Sequence, residues 1–199
     1  MAAHRGCSTS TDLPPFRRLG ETEVLRSSLI RVTSARFEGP SGEQFDRDIV
    51  HHPGAVVVVP LTDSGTVVMV RQYRAAVDAE LLEIPAGKRD VHEEPTEVTA
   101  ARELAEEVGQ RAGRLDLLAR FYNSPGFCDE LSWLYLARDL STVLQDRQGA
   151  EEQYMTIEEV PLASVPAMIT AGEIVDAKSI IGLTLTRSLL SGTGDTGKS

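Results

Sequence analysis

The feature that most constrains the fold is the stretch GKRDVHEEPTEVTAARELAEEVGQ, residues 87–110, where the apolar pattern changes to that of a helix. Its apolar residues recur at helical spacing: Val98, Ala101, Leu104, Ala105 and Val108. Pro95 suits the first turn of a helix, and Gly109 suits its C-terminal end. We therefore predict a helix between Pro95 and Gly109, with these apolar positions facing the core.

Strand-like segments lie on both sides of this helix. Residues 21–37 and 45–52 read as strand, turn and strand, and residues 54–61 and 66–74 read as a hairpin across the turn TDSG. Further strands are predicted at 81–87, 114–122, 131–140 and 151–162, and helices at 161–171 and 176–190, the last with Asp176 as its N-cap. This order predicts an α+β fold, or a mixed sheet covered by helices.

Length and composition bound the remaining possibilities. The length of 199 residues favours one domain, or one domain with a small appendage. The polar, aperiodic ends, residues 1–15 and 191–199, are predicted to be flexible tails. A formal net charge of −10 disfavours nucleic acid as a partner, because phosphate backbones are bound mainly by clustered Lys and Arg. No apolar run is long enough to cross a bilayer and no signal-like segment is recognised, so we expect no membrane partner and a cytoplasmic location.

Glu103, Glu106 and Glu107 share one face of the predicted helix, since positions three and four apart are neighbours. Such a cluster costs only about 0.2–0.5 kcal/mol for each solvated pair, so an ordinary solvated face is one reading. The cluster gains nothing from the helix dipole, however, because it lies far from the N-terminus. Carboxylates are the ligands that Mg²⁺ prefers, and the turn at residues 85–87 can turn backbone carbonyls toward the same place.

The segment resembles the signature of Nudix hydrolases, G-x5-E-x7-R-E-U-x-E-E-x-G-U, in which U is a bulky apolar residue. The matching positions are Gly87, Glu94, Arg102, Glu103, Leu104, Glu106, Glu107 and Gly109. The chain departs from the pattern in two places. Six residues rather than five separate Gly87 from Glu94, with Glu93 as the alternative match, and Gln110 replaces the last apolar residue.

The resemblance implies a Nudix α/β/α sandwich around a mixed sheet and a bound Mg²⁺, with Mn²⁺ as a possible substitute. It implies that Glu103 and Glu107 are metal ligands, that Glu106 is a further ligand or a water-mediated contact, and that the Ala86 carbonyl also binds the metal. Arg102 is implied to pair with Glu94 and to hold the loop against the helix. An ordinary exposed ion pair is the other reading of Arg102.

Other stretches resemble the ADP-ribose pyrophosphatase subgroup: HHPGAVVVVPL, VRQYR, ELLEIPAG and GEIVDAKSIIGL. Pro125 lies fifteen residues after Gln110, as in that subgroup, and Glu130 takes the place of its general base, with Asp129 as the neighbouring alternative. Arg71 and Arg74 are candidates for substrate phosphates, because guanidinium groups suit phosphate oxygens. Glu83 matches a substrate-binding position, although this acid between two apolar residues can equally face solvent.

These matches imply Mg²⁺-dependent hydrolysis of ADP-ribose to AMP and ribose 5-phosphate. The alternatives are another nucleoside diphosphate derivative, such as ADP-glucose, GDP-mannose or NADH, and a catalytically weak ADP-ribose sensor. The subgroup also implies a homodimer. Residues 16–54 are then an N-terminal strand region that reaches a partner copy, and residues 55–190 are the Nudix hydrolase domain.

Overall fold

The computed structural model describes residues 16–91, 93–145 and 152–192. These residues divide into two compact units, and the first combines residues 16–52 with Gly126–Cys128. The predicted tail at 1–15 and residues 193–199 of the predicted C-terminal tail lie outside the described residues. The last helix includes residues 191 and 192, two residues past the predicted start of that tail.

The first unit is a three-stranded antiparallel sheet with β2 in the centre. Its strands are β1 (Arg17–Arg26), β2 (Arg31–Glu38) and β3 (Gln44–His51). The single strand predicted over 21–37 is wrong, because a turn interrupts it. The Ser27 hydroxyl accepts the backbone N–H groups of Leu29 and Ile30, and this local bonding competes with the strand ladder.

The second unit contains the other strands and all three α-helices of the described residues. Its strands are β4 (Ala55–Pro60), β5 (Thr66–Arg74), β6 (Ala79–Glu83), β7 (Ala86–Lys88), β8 (Gln110–Tyr122), β9 (Leu131–Thr142) and β10 (Thr156–Pro161). Its helices are α1 (Thr96–Val108), α2 (Val165–Ala171) and α3 (Ala177–Gly192), with a 3₁₀ turn at Glu152–Tyr154. No helix in the described ranges has the length and apolar character needed to cross a membrane.

Two sheets in this unit have the orders β10-β5-β6 and β7-β4-β9-β8, and the second is mixed because β4 and β9 are parallel. The Val-rich strand β4 is buried on both faces. Val57 and Val59 join the core that includes α2 and α3 residues, whereas Val56 and Val58 join the core that includes Leu104 of α1. The predicted α+β architecture, a mixed sheet between helical layers, is thus confirmed.

The predicted hairpin between β4 and β5 is wrong beyond its turn. Thr62 N–H bonds to the Thr66 carbonyl at 2.9 Å, but only the Leu61–Val67 bridge follows. The two strands then enter different sheets. Because both strands are apolar on both faces, their composition gave no sign of which neighbours they would pair with.

Helix α1 begins and ends as predicted, after Pro95 and before Gly109, whose φ of 63° is left-handed. Its predicted inner face is partly wrong, because Val98 and Ala101 are exposed. The buried residues are Thr99, Ala100, Leu104, Glu107 and Val108. The helix is therefore rotated so that one glutamate of the acidic cluster lies on the face that packs against the sheet.

Candidate active site

The carboxylate of Glu107 lies against the turn that connects β6 to β7. Only 4% of Glu107 is exposed, and its Oε2 accepts the backbone N–H of Ala86 at 3.1 Å. The adjacent Gly87 faces Glu103, and a Cβ at Gly87 would lie 1.8 Å from the Glu103 carboxyl carbon. A side chain at position 87 would therefore displace the Glu103 carboxylate, and Gly87 lets Glu103, Glu107 and the Ala86 peptide come together.

Arg102 gathers the remaining acidic side chains. Its Nη1 lies 2.9 Å from Glu106 and 3.0 Å from Glu103, and its Nη2 lies 3.6 Å from both Glu94 and Asp90. One guanidinium thus contacts four carboxylates, and Glu107 adds a fifth negative charge beside Ala86. These contacts leave several negative charges that Arg102 does not neutralise, which favours the binding of a cation.

The loop between β7 and α1 directs Glu94, rather than Glu93, toward the helix. Glu94 Oε2 accepts the hydroxyl of Thr99 at 2.7 Å and is the carboxylate that approaches Arg102. Glu93 is exposed and has a φ of 60°, a left-handed conformation that is uncommon for a residue with a side chain. This loop has one residue more than the Nudix signature between Gly87 and Glu94. The carboxylate of Glu94 still lies beside Arg102.

Glu83 is the centre of a second charged cluster. It is 1% exposed, Arg74 donates two hydrogen bonds to its carboxylate at 2.8 and 2.7 Å, and Lys178 Nζ is 3.7 Å away. The hydrogen bonds to Glu83 raise the pKa of Arg74 further above its ordinary value. The carboxylate of Glu83 is buried. The alternative that this acid between two apolar residues faces solvent is therefore excluded.

Arg71 lies apart from this cluster. Its guanidinium donates to Glu158 of β10 at 2.6 and 3.3 Å, whereas Arg74 turns toward β6. The two arginines predicted to contact substrate therefore have different partners in this conformation.

Glu130 and Asp129 lie on a separate loop, immediately before β9. The ends of this loop are joined, because Asn123 N–H donates to the Glu130 carbonyl at 3.3 Å and Asn123 Nδ2 donates to the Ser132 hydroxyl at 2.9 Å. Strand β9 runs parallel to β4 and β7 runs antiparallel to β4. The loop that carries Glu94 and the residue Glu130 therefore adjoin the same end of the sheet.

Several residues that build these clusters were not predicted from the sequence: Asp90, Thr99, Asp176 in a role beyond helix capping, Lys178 and Ser179. Ser179 accepts the backbone N–H of Ile84 at 2.9 Å and donates to Asp176 at 2.7 Å. Lys178 Nζ lies 2.6 Å from Asp176. The stretch GEIVDAKSIIGL was singled out as a resemblance, but no local pattern shows that its polar residues reach β6.

The mixed sheet between helical layers and the acidic helix against a Pro-Ala-Gly turn define a recognisable class. The chain belongs to the NUDIX family, whose domain model matches residues 51–176. It is a Nudix hydrolase and is similar to ADP-ribose pyrophosphatases.

Two such relatives are similar over most of their length. The ADP-ribose pyrophosphatase of Bacillus subtilis is 37% identical over 82% of this chain and 88% of the relative. The enzyme of the same name from Mycobacterium tuberculosis is 39% identical over 89% of this chain and 86% of the relative. A crystal structure of an ADP compounds hydrolase superposes with a TM-score of 0.81, at 25% identity, over 93% of this chain and 99% of that chain.

Nudix hydrolases generally use a divalent metal, and the donor set here fits one. The carboxylates of Glu103, Glu106 and Glu107 and the Ala86 carbonyl are oxygen donors of the kind that Mg²⁺ takes. Within residues 16–91, 93–145 and 152–192, no three His, Cys, Asp or Glu side chains are already arranged to hold a metal ion. Glu103 and Glu107 already lie beside this turn, and Arg102 contacts Glu103 and Glu106.

Proposed function

We propose that this protein hydrolyses the pyrophosphate bond of ADP-ribose, giving AMP and ribose 5-phosphate, with Mg²⁺ as the metal and Mn²⁺ as a substitute. The observation that carries the proposal is the convergence of Glu103 and Glu107 on the Ala86 turn. Similarity to two ADP-ribose pyrophosphatases over more than four fifths of the chain supports the choice of substrate.

In this proposal Glu103, Glu106, Glu107 and the Ala86 carbonyl hold Mg²⁺. When bound, Mg²⁺ supplies positive charge that stabilises negative charge developing on the diphosphate. Glu94 and Arg102 keep the loop and the helix in register, and Arg102 limits the repulsion among the carboxylates that it contacts. A rigid arrangement of this kind raises the rate because little reorganisation is needed during the reaction.

Glu130 is proposed to orient and deprotonate the attacking water, with Asp129 as the alternative base. Both precede β9 at the end of the sheet from which the Glu94 loop departs. Arg74 and Glu83 form the proposed substrate-binding wall. Arg71 joins it only if its guanidinium leaves Glu158, to which it donates two hydrogen bonds.

The proposal is tested by incubating purified protein with ADP-ribose and Mg²⁺ in H₂¹⁸O. Hydrolysis at the pyrophosphate gives AMP and ribose 5-phosphate in equal amounts, with ¹⁸O in only one of the two products. The labelled product identifies the phosphorus that water attacks. Absence of AMP at micromolar enzyme, with Mg²⁺ or Mn²⁺ present, would rule out ADP-ribose as the substrate.

The alternatives are separated by the same assay with other substrates. ADP-glucose, GDP-mannose and NADH are compared by kcat/KM, and a value for any of them above that of ADP-ribose replaces the substrate assignment. A sensor would instead bind ADP-ribose without turnover, which calorimetry measures directly.

We also propose that residues 16–54 form a dimerisation region and that the protein is a homodimer. The supporting observation is that every residue of β1 is exposed in the single chain, which leaves this strand available for a partner copy. Analytical ultracentrifugation at micromolar concentration tests this, and a monomer would contradict it.

A further inference from the structure

Arg89 contacts two parts of the site that are distant in sequence. Its guanidinium carbon lies 4.5 Å from the centre of the Trp133 ring, within the range of a cation–π contact. Its Nη2 donates to the Glu94 carbonyl at 3.3 Å. Arg89 follows β7 and Trp133 lies in β9, so this side chain reaches across the intervening strand β4.

Gly54 makes this reach possible. The Arg89 N–H bonds to the Gly54 carbonyl at 3.1 Å, and Gly54 immediately precedes β4, which lies between β7 and β9 in the sheet. A Cβ at Gly54 would lie 2.8 Å from the Trp133 ring and 3.0 Å from the Leu131 carbonyl. The φ of Gly54 is +92°, a conformation that side chains disfavour. The Trp133 ring thus covers a position that only glycine leaves open.

The contact between Arg89 and Trp133 connects two segments that carry proposed site residues. Arg89 lies in the loop that carries Glu94, and its neighbour Asp90 is 3.6 Å from Arg102. Trp133 follows Glu130 by three residues, in the strand that the Glu130 loop enters. Arg89 and Trp133 therefore join the acidic helix and its loop to the strand that begins beside the proposed base.

We propose that Arg89 is a positioning residue, and that its stacking on Trp133 and its bond to the Glu94 carbonyl fix the Glu94 loop relative to the start of β9. The pair, which we call the Arg89–Trp133 clamp, acts through Glu94 and Glu130 and does not touch substrate. Its effect on turnover rests on the proposed function, whereas its effect on the loop does not.

The kinetic test compares Arg89→Ala, Trp133→Leu and the double variant with the wild-type protein, using ADP-ribose and Mg²⁺. A misplaced loop is expected to lower kcat by about 10- to 100-fold, with KM within about threefold of wild type. The double variant should be no worse than either single variant, because both remove the same contact. Trp133→Phe, which keeps an aromatic face for the guanidinium, should recover most of the turnover.

Arg111→Ala is the matched control, because Arg111 is exposed on β8 and the hydrogen bond from the Ser141 hydroxyl goes to its backbone carbonyl, which the substitution keeps. It should retain wild-type kcat. The clamp is refuted if kcat of Arg89→Ala stays within about twofold of wild type, or if the losses of the two single variants multiply in the double variant.

A second readout is independent of turnover. Hydrogen exchange at Asp90, Val91, Glu93 and Glu94 should accelerate in Arg89→Ala, at unchanged melting temperature, and in Trp133→Leu, and should not change in Arg111→Ala. If wild-type protein fails to hydrolyse ADP-ribose, the proposed function falls and exchange alone decides the clamp. Unchanged hydrogen exchange in Arg89→Ala would overturn the proposed Arg89–Trp133 clamp.

Discussion

At the scale of single residues, Glu107 combines burial with charge. A carboxylate that is 4% exposed carries a desolvation cost that hydrogen bonds or a cation must offset. Its hydrogen bond from Ala86 offsets part of this cost and aims the carboxylate at the turn. This position explains why the acidic cluster is more than a solvated helix face.

Glu107→Gln tests the role of this charge. The amide has the same size and can still accept the Ala86 N–H, but it is a poor ligand for Mg²⁺. We expect kcat to fall by about 10²- to 10³-fold while the free energy of unfolding does not decrease, because a buried charge is removed. Steady-state kinetics and urea denaturation measure the two effects. Glu97→Gln, in the exposed first turn of the same helix, should match wild type, and an equal loss in both variants would contradict the assignment.

Arg74 and Arg71 offer a second comparison between single residues. Arg74→Met removes both hydrogen bonds from the buried Glu83 carboxylate and leaves Lys178 at 3.7 Å, so we expect a loss of about 3 kcal/mol in the free energy of unfolding. Arg71→Met breaks a pair with the partly exposed Glu158 and should cost less than about 1 kcal/mol. Urea denaturation at pH 7 measures both.

The double variant Arg74→Met/Glu83→Leu serves as the control for the buried pair. Removing both partners leaves no uncompensated charge, so it should recover part of the stability that Arg74→Met loses. If the Arg74 and Arg71 variants lose equal stability, the buried pair is not what distinguishes the two arginines.

At the scale of whole elements, the sequence predicted α1 well because its ends depend on local chemistry. Pro95 cannot donate the hydrogen bond of a helix interior, and Gly109 readily adopts the left-handed conformation that ends the helix. The inner face of α1 was less predictable, because two of the apolar positions that defined its period, Val98 and Ala101, are exposed. The sequence could not show that Glu107 replaces them on the face that packs against the sheet.

The sequence did not predict which strands pair with one another. The turn after β4 is local and was predicted, but the choice between pairing β4 with β5 and pairing it with β9 depends on residues far along the chain, since Ala55 pairs with Ser132, 77 positions later. The contacts of Ser179 with Ile84, and of Arg89 with Trp133, depend on the same non-local packing. The acidic helix was therefore visible in the sequence, and the groups that support it were not.

The N-terminus of α3 provides a pH-dependent prediction. Burial acts to raise the pKa of Asp176, but Lys178 and the hydrogen bonds from Ser179 outweigh it and hold the pKa below its ordinary value. A carboxyl with a lowered pKa in the folded state contributes stability above its unfolded pKa, about 3.9. That stability is lost as the pH falls through the lower, folded pKa.

Asp176→Asn isolates the charge, because asparagine can still cap the helix. We expect the variant to be less stable than wild type at pH 7 by about 1–3 kcal/mol, and this difference should shrink as the pH falls below about 4. Urea denaturation at several pH values between 3 and 7 measures it. A difference that is constant over this range would show that the charge of Asp176 does not contribute.

At the scale of the molecule, the two compact units differ in how they are stabilised. Both hydrophobic core clusters of the described residues lie in the second unit. In the N-terminal sheet, β1 is exposed along its whole length. Among the described residues of this sheet, the buried ones are Thr33 and Ala35, both in β2. A three-stranded sheet with so little buried surface gains little stability from its own core.

Mg²⁺ should therefore stabilise the second unit, which contains all of the proposed ligands. Binding of one ion to the folded state at a hundred times its dissociation constant adds about 2.7 kcal/mol. For a protein of this size each kcal/mol raises Tm by about 2–4 °C, so we expect a rise of about 5–10 °C. Trp133 is the only tryptophan and lies in this unit, so its fluorescence follows the relevant transition.

The control for this rise is Glu107→Gln, with sodium chloride at matched ionic strength in place of Mg²⁺. Screening of the net charge of −10 raises stability with either salt, because it weakens repulsion throughout the chain. Only a site that joins α1 to the β7 turn makes the rise depend on Mg²⁺, on Glu107 and on the absence of EDTA. An equal rise in wild type and Glu107→Gln would show that the added cations act on the total charge and that α1 does not hold the metal.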